Sequence, residues 1–166
     1  EIILGDKNLS QLSENELASL SKKELGFIFQ DSWLLDGLSV KESIMLPRII
    51  GGRTGADMEQ GADRLCQVFG IAKIRYKYPA EISGGEKQRT AVARALINNP
   101  LVILADEPTG NLDSKSSKAV IEAFLQAKKM LDATIFMVTH DSYAASFCDR
   151  VIILKDGIVH SVVSSK

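Results

Sequence analysis

Apolar positions fall in two rhythms along this chain. "EIIL" (1–4) and "LGFIFQ" (25–30) are dense apolar runs that predict short strands around a polar helical stretch from Glu14 to Glu24. From Ser39 to about Phe69 the spacing turns helical, first in "SVKESIMLPRII" and then in "ADMEQGADRLCQVFG", with "GGRTG" (51–55) as a flexible break between them. Pro79 closes that region, and a long helix is expected from about Gly84 to Asn98. The rhythm then changes. "LVILAD" (101–106) is a continuous apolar run ending in a carboxylate, and "TIFMVTH" (134–140) is another, ending in Thr-His. Between them Ser114 to Leu131 reads as a helix with Val120, Ile121, Phe124 and Leu125 on one face and Asp113 as its N-cap. A short helix follows, and "RVIILKDGIVHSVV" (150–163) reads as a hairpin turning on Asp156-Gly157. Strands alternating with helices imply an α/β fold with a mostly parallel sheet covered on both faces. Residues 38–98 carry no strand signal and are expected to form an inserted α-helical subdomain.

Composition narrows the function classes. The 166 residues are 45% apolar and 25% charged, as expected of one globular domain. Twenty basic against 21 acidic residues give a formal charge of -1, which speaks against a nucleic-acid partner held by a broad basic face. The longest aliphatic stretch, "LVILA", is far too short to cross a bilayer. Cys66, Cys148, His140 and His160 show no metal-ligand spacing, so the two cysteines read as buried thiols in a reducing cytosol. The sequence opens at Glu1, directly in a strand-like run, and we expect a fragment or a processed chain.

Three apolar runs end in polar groups at what would be one sheet edge: Gln30, the pair Asp106-Glu107, and His140. Ligands of open parallel sheets bind at the carboxyl ends of the strands. An acid closing a buried strand suits Mg²⁺, and a second acid one residue on could orient or deprotonate a water attacking a phosphate. The same pair would also serve as a simple cap of the following turn. His140 could sense a phosphate or satisfy a backbone group, and Gln30 could ligate a cation or be merely solvated.

"ISGGEKQR" (82–89) adds a different chemistry. Ser83 with Glu86 forms the S-x-x-E capping box, worth about 1 kcal/mol. The box does not account for Gly84 and Gly85, which weaken a first helical turn by up to about 1 kcal/mol each. Two glycines there bare the N–H groups at the positive end of a helix, a surface suited to phosphate.

Together these segments resemble the ATPases of ABC transporters. "YPAEISGGEKQRTAVARAL" resembles their signature region, "LVILADEPTGNLD" the Walker B strand and D-loop, "GFIFQ" the Q-loop and "MVTHD" the switch histidine, in the family's order across essentially the whole chain. The resemblance implies a partial P-loop NTPase (RecA-like) core from residues 1–37 and 99–166, with the helical subdomain at 38–98. It implies ATP and Mg²⁺ as cofactors. Ser83, Gly84 and Gly85, with Glu86 behind them, would meet the γ-phosphate of ATP held by a second copy. Asp106 would support Mg²⁺ and Glu107 would polarise the attacking water. Gln30 would sense the cation and γ-phosphate, His140 would clamp the γ-phosphate, and Asn111 to Asp113 would cross the dimer interface.

The implied function is the ATP-hydrolysing subunit of a membrane transporter, dimeric and seated on a permease at the cytoplasmic face of a bacterial membrane. "PTGNLDS" and "FQDSWLLDGLSVKES" lean towards the lipoprotein-release, macrolide-efflux and bacitracin-resistance types, the last of which handles antimicrobial peptides. Ile82, Lys87 and Ser43 depart from the family's usual leucine, glutamine and asparagine. A larger departure is that no G-x-x-x-x-G-K-[ST] phosphate loop occurs, nor the upstream aromatic that stacks on adenine. These 166 residues alone are therefore expected to be inactive, and to self-associate through an uncovered sheet edge. Two alternatives are an ABC ATPase of DNA repair or translation, and a non-catalytic docking module. Against the repair type, 52 residues without sustained heptads separate Gln30 from Ser83.

Overall fold

The computed structural model describes residues 1–53, 55–131 and 133–164. Thr54, inside the "GGRTG" break, lies outside them, as do Asp132 and the last two residues of the 99–166 segment. The chain opens with two-residue strands β1 (Ile3–Leu4) and β2 (Lys7–Asn8), paired antiparallel, then helix α1 (Glu14–Glu24) and strand β3 (Leu25–Ile28). Helices α2 (Val40–Ile50), α3 (Ala56–Val68) and α4 (Gly84–Leu96) follow without an intervening strand among the described residues. Strand β4 (Val102–Asp106), helix α5 (Ser114–Met130), strand β5 (Thr134–Val138) and the short α6 (Ser142–Ala145) lead to a hairpin of β6 (Arg150–Lys155) and β7 (Ile158–Ser164).

Local sequence sets most of these boundaries. α1, α2 and α4 each begin at a serine whose hydroxyl accepts from the amide of a glutamate three residues on, while that glutamate accepts from the serine's own N–H. Asp113 caps α5 through the amides of Lys115 and Ser116. α4 stops at Leu96, two residues before the expected end, where the chain turns through Asn99 in the left-handed region (φ 53°) ahead of Pro100. Asp156 and Gly157, both at positive φ, turn the hairpin as expected.

Among the described residues β3, β4 and β5 form one parallel sheet in the order β3-β4-β5. Ile28 lies opposite Ala105, which lies opposite Met137, so the three carboxyl ends fall side by side. α4 and α5 cover one face. Ile28, Val92, Leu96, Ile103 and Val120 are buried there at 2% exposure or less. Packing of α4 on β3 is close enough that a Cβ on Gly26 would stand 2.8 Å from the carbonyl oxygen of Ala95. Truncating Leu96 to Ala in this core should cost about 2–5 kcal/mol.

The expectation of a sheet covered on both faces is corrected. On the other face Phe27, Phe136 and Val138 are 40%, 55% and 52% exposed, and the hairpin likewise exposes Leu154, Ile158 and Val162. The continuous apolar runs reflect two apolar faces, and the described helices pack against only one. The thiols also differ from their reading. Cys66 is buried among core residues, which pushes its pKa up to about 11, but Cys148 is only half-buried. No disulfide joins them.

Candidate functional site

The register places Gln30, Asp106-Glu107 and Thr139-His140 just past three neighbouring strand ends. Asp106 closes β4 opposite Val138, exposed, and among the described residues its carboxylate makes no hydrogen bond or ion pair. Glu107 follows in the left-handed region (φ 42°), a conformation that costs a non-glycine residue about 1–3 kcal/mol. Its amide donates to the Val138 carbonyl (2.9 Å), which continues the strand pairing while the side chain swings to β5.

That side chain is held from three directions. Glu107 Oε1 accepts from the backbone N–H of His140 (3.0 Å) and lies 2.8 Å from His140 Nδ1, and Oε2 accepts from the Thr139 hydroxyl (3.3 Å). The reading of the acidic pair as a plain turn cap does not describe Glu107, whose oxygens face β5 instead of the turn that follows. The hydrogen bond and the charge of Glu107 raise the His140 pKa, favouring an imidazolium that donates from Nδ1. His140 is otherwise open, its side chain 82% exposed against 21% for Glu107. An open groove of about 500 Å³ runs past this pair, lined by Glu107, Gly110, Leu112, Lys118, His140 and Tyr143. A hollow of similar size over the start of α3, lined by Met58, Glu59 and Asp63, includes none of these residues.

Gln30 is joined to the turn between β4 and α5. Its Nε2 donates to Asn111 Oδ1 (3.1 Å), and Asn111 Nδ2 donates to Asp31 Oδ1 (3.1 Å). Gly110 makes room for this, since a Cβ there would approach Gln30 Nε2 to 3.1 Å. Among the described residues the Gln30 amide oxygen has no hydrogen-bond donor and is left as an acceptor. With the unpaired Asp106 carboxylate it offers the oxygen donors Mg²⁺ prefers, and no cluster of three or more His, Cys, Asp or Glu residues suited to a metal occurs among the described residues. Such a sparse set fits a cation held by one carboxylate and substrate phosphates, and not one held in an all-protein cage.

At the start of α4, Ser83 N–H and Oγ both donate to Glu86 Oε2 (2.8 Å each), and Glu86 N–H donates back to Ser83 Oγ (3.3 Å). The Ser83 N–H bond holds the Glu86 pKa below the usual carboxylate range. A carboxylate engaged in this way positions Ser83 and is unsuited to touching a phosphate itself. Ser83 and Gly84 are exposed, but Gly85 is buried. A Cβ on Gly85 would meet Ser116 Cβ and Oγ at 2.8 Å, so its bareness serves packing against α5. Ser116 in turn donates from Oγ to Asp113 Oδ2 (2.7 Å), which lowers the Asp113 pKa and ties the cap of α5 to the foot of the α4 tip.

The structure therefore assembles two clusters. One contains Gln30, Asn111, Glu107 and His140, with Asp106 beside them; the other contains Ser83, Gly84, Gly85 and Glu86, bordered by Asp113. Among the described residues no hydrogen bond joins the tip to Glu107 or His140. Sequence reasoning missed Thr139 and Ser116, whose roles depend on neighbours distant in the chain. A strand ending in Thr-His was the only available signal for Thr139.

Comparisons with known proteins show the family and the fold of the chain. A profile of the ABC transporter family matches residues 1–110. The chain is 49% identical over 160 residues to the bacitracin export ATP-binding protein BceA of Halalkalibacterium halodurans, covering 96% of this chain and 63% of that protein. It is 40% identical to the lipoprotein-releasing system ATP-binding protein LolD of Shewanella sp. (strain MR-4), covering 98% and 70%. The fold superposes on a dimeric post-hydrolysis state of the ATP-binding cassette MJ0796 bound to ADP and Pi, with a TM-score of 0.84, 32% identity and coverage of 97% and 71%. The chain thus spans somewhat under two-thirds of the length of BceA.

Proposed function

The chain belongs to the ABC transporter family, and from that footing we propose that it is part of an ATP-hydrolysing transporter subunit working as a dimer. The observation that carries this reading is the Glu107 carboxylate, fixed by His140 and Thr139 at the end of β4. A carboxylate held in this way is aimed at a water and need not reorganise to accept its proton, help typically worth about 10²–10⁴-fold in rate. In the imidazolium form that Glu107 favours, Nδ1–H is committed to Glu107 and the exposed His140 ring presents Nε2–H outward, where it can donate to a terminal phosphate oxygen.

Ser83 and Gly84 supply the second half of the site from the other copy. Gly84 presents a backbone N–H that is unpaired among the described residues at the positive end of α4, held in place by the Ser83 hydroxyl in its reciprocal bonds with Glu86. Asp106 and the Gln30 amide oxygen would hold Mg²⁺, which when bound neutralises charge on the phosphates. Asn111 fixes Gln30 for that task. We assign residues 1–37 and 99–166 to the ATPase core and 38–98 to the helical subdomain. These 166 residues hold no G-x-x-x-x-G-K-[ST] loop, so turnover is assigned to the full-length protein and not to this stretch alone.

The likeness to BceA and LolD supports a permease partner at the membrane's cytoplasmic face, and the likeness to BceA supports an antimicrobial peptide as cargo. No helix among the described residues is long and apolar enough to cross a membrane. The test is ATP hydrolysis by the full-length protein. Mg²⁺-dependent turnover that disappears in Glu107→Gln is expected; turnover untouched by that substitution would overturn the assignment.

A further inference from the structure

The segment that follows β3, residues 29–36, has no regular secondary structure, yet three of its carbonyls are gripped by one helix. Gln88 Nε2 donates to the Phe29 carbonyl (2.8 Å), Arg94 Nη2 to that of Ser32 (2.8 Å) and Arg94 Nη1 to that of Trp33 (2.7 Å). All three bonds come from α4, the helix whose first turn carries Ser83 and Gly84. Gln30 lies inside the gripped stretch, one residue past the first anchor.

The expense of these contacts argues that they do more than fill space. Gln88 is 2% exposed, so its amide is committed to one carbonyl. Arg94 pairs with no carboxylate among the described residues and spends its charge on two backbone dipoles. Arg94 is half-buried, and that burial lowers its pKa. Such a charge is ordinarily paired with an acid. Trp33, one of its acceptors, sits in the left-handed region (φ 46°) with its ring stacked 5.0 Å from Phe29, so the grip holds a conformation that the chain would not choose unaided.

We propose that Arg94 and Gln88 are positioning residues that make α4 and the Gln30 segment move as one body. In that case contact of one copy's Ser83 tip with phosphate and the setting of that same copy's Gln30 are one mechanical event. Each site of a dimer thereby senses occupation of the other. This inference rests on the function proposed above and adds the residues that couple its two clusters within one chain.

The test uses the full-length protein with Arg94→Lys, which keeps the charge but loses the two-pronged grip. Without nucleotide, amide hydrogen exchange over residues 29–36 should become several-fold faster while exchange in α5 is unchanged. The Mg²⁺ concentration for half-maximal hydrolysis should rise about tenfold, as for loss of an outer-shell support. kcat should fall by up to about 10²-fold. Gln88→Met, which keeps volume and removes the donor, carries the same test if Arg94→Lys is recovered only as aggregate. An unchanged Mg²⁺ requirement and unchanged exchange over 29–36, in a variant that still hydrolyses ATP, would overturn the coupling and leave the function standing. An unsubstituted full-length protein without Mg²⁺-dependent hydrolysis would remove both.

Discussion

At the tip of α4, Ser83 and Glu86 satisfy each other within one helical turn and Gly85 seats that turn on Ser116. At the end of β4, by contrast, Glu107 adopts a left-handed backbone and takes its partners from another strand. The tip is a locally determined, low-strain platform that exposes donors. The acid end is a tertiary arrangement that spends backbone strain to aim a carboxylate. The difference predicts different failures. Changes at the tip should separate binding from folding, whereas changes at the acid end should alter the chemistry of neighbouring groups.

The largest effect expected at the tip comes from Gly84→Asp. A Cβ there meets only the flexible end of Leu112 at 3.3 Å, and an acid in the first turn favours the helix. Stability should hold or rise, while repulsion of the phosphate lowers turnover of the full-length protein on the order of 10²-fold or more. Equal turnover would show that the tip meets no anion. Gly85→Ala should behave oppositely, costing about 1–3 kcal/mol through its clash with Ser116. Recovery of the melting temperature by the added change Ser116→Gly would identify the clash as the cause. Glu86→Ala should remove the reciprocal cap at about 1 kcal/mol, read from denaturant midpoints.

The smallest effect is a titration. Because His140 gains a partner in the folded state, its pKa lies above the ordinary value of about 6.5. The stabilisation from that pair is full below about pH 6.5 and fades as pH rises through the raised value. An NMR titration should show His140 shifted upwards, and Glu107→Gln should bring it back towards the ordinary value. A His140 pKa indifferent to Glu107 would break the contrast between the two clusters.

Much of this was legible in the sequence where the cause is local. The helical start at Ser39, the capping box at Ser83, the Asp113 cap and the Asp156-Gly157 turn depend on residues within a few positions of each other, and all appear in the structure. The ending of three apolar runs at one edge was also readable, because parallel register follows from the alternation of strands and helices. The second cause of Gly85 was not readable, because Ser116 lies 31 residues away (116 minus 85). Nor were Arg94 and Gln88, since nothing in "EKQRTAVARAL" shows that two of its polar residues reach 61 and 59 residues back to the Gln30 segment. The two apolar faces of the sheet were visible as continuous runs, but which of them the helices cover is a property of the packing.

The central claim is that the α4 tip of one copy and the acid end of the other complete one site. Co-expressing full-length Gly84→Asp and full-length Glu107→Gln tests it directly, because each mixed dimer pairs one undamaged tip with the undamaged acid end of the other copy. The account predicts ATP turnover in the purified mixed dimer well above that of either variant alone. Turnover no higher than in the two inactive parents would contradict it, since it would mean that both clusters must be intact within a single chain.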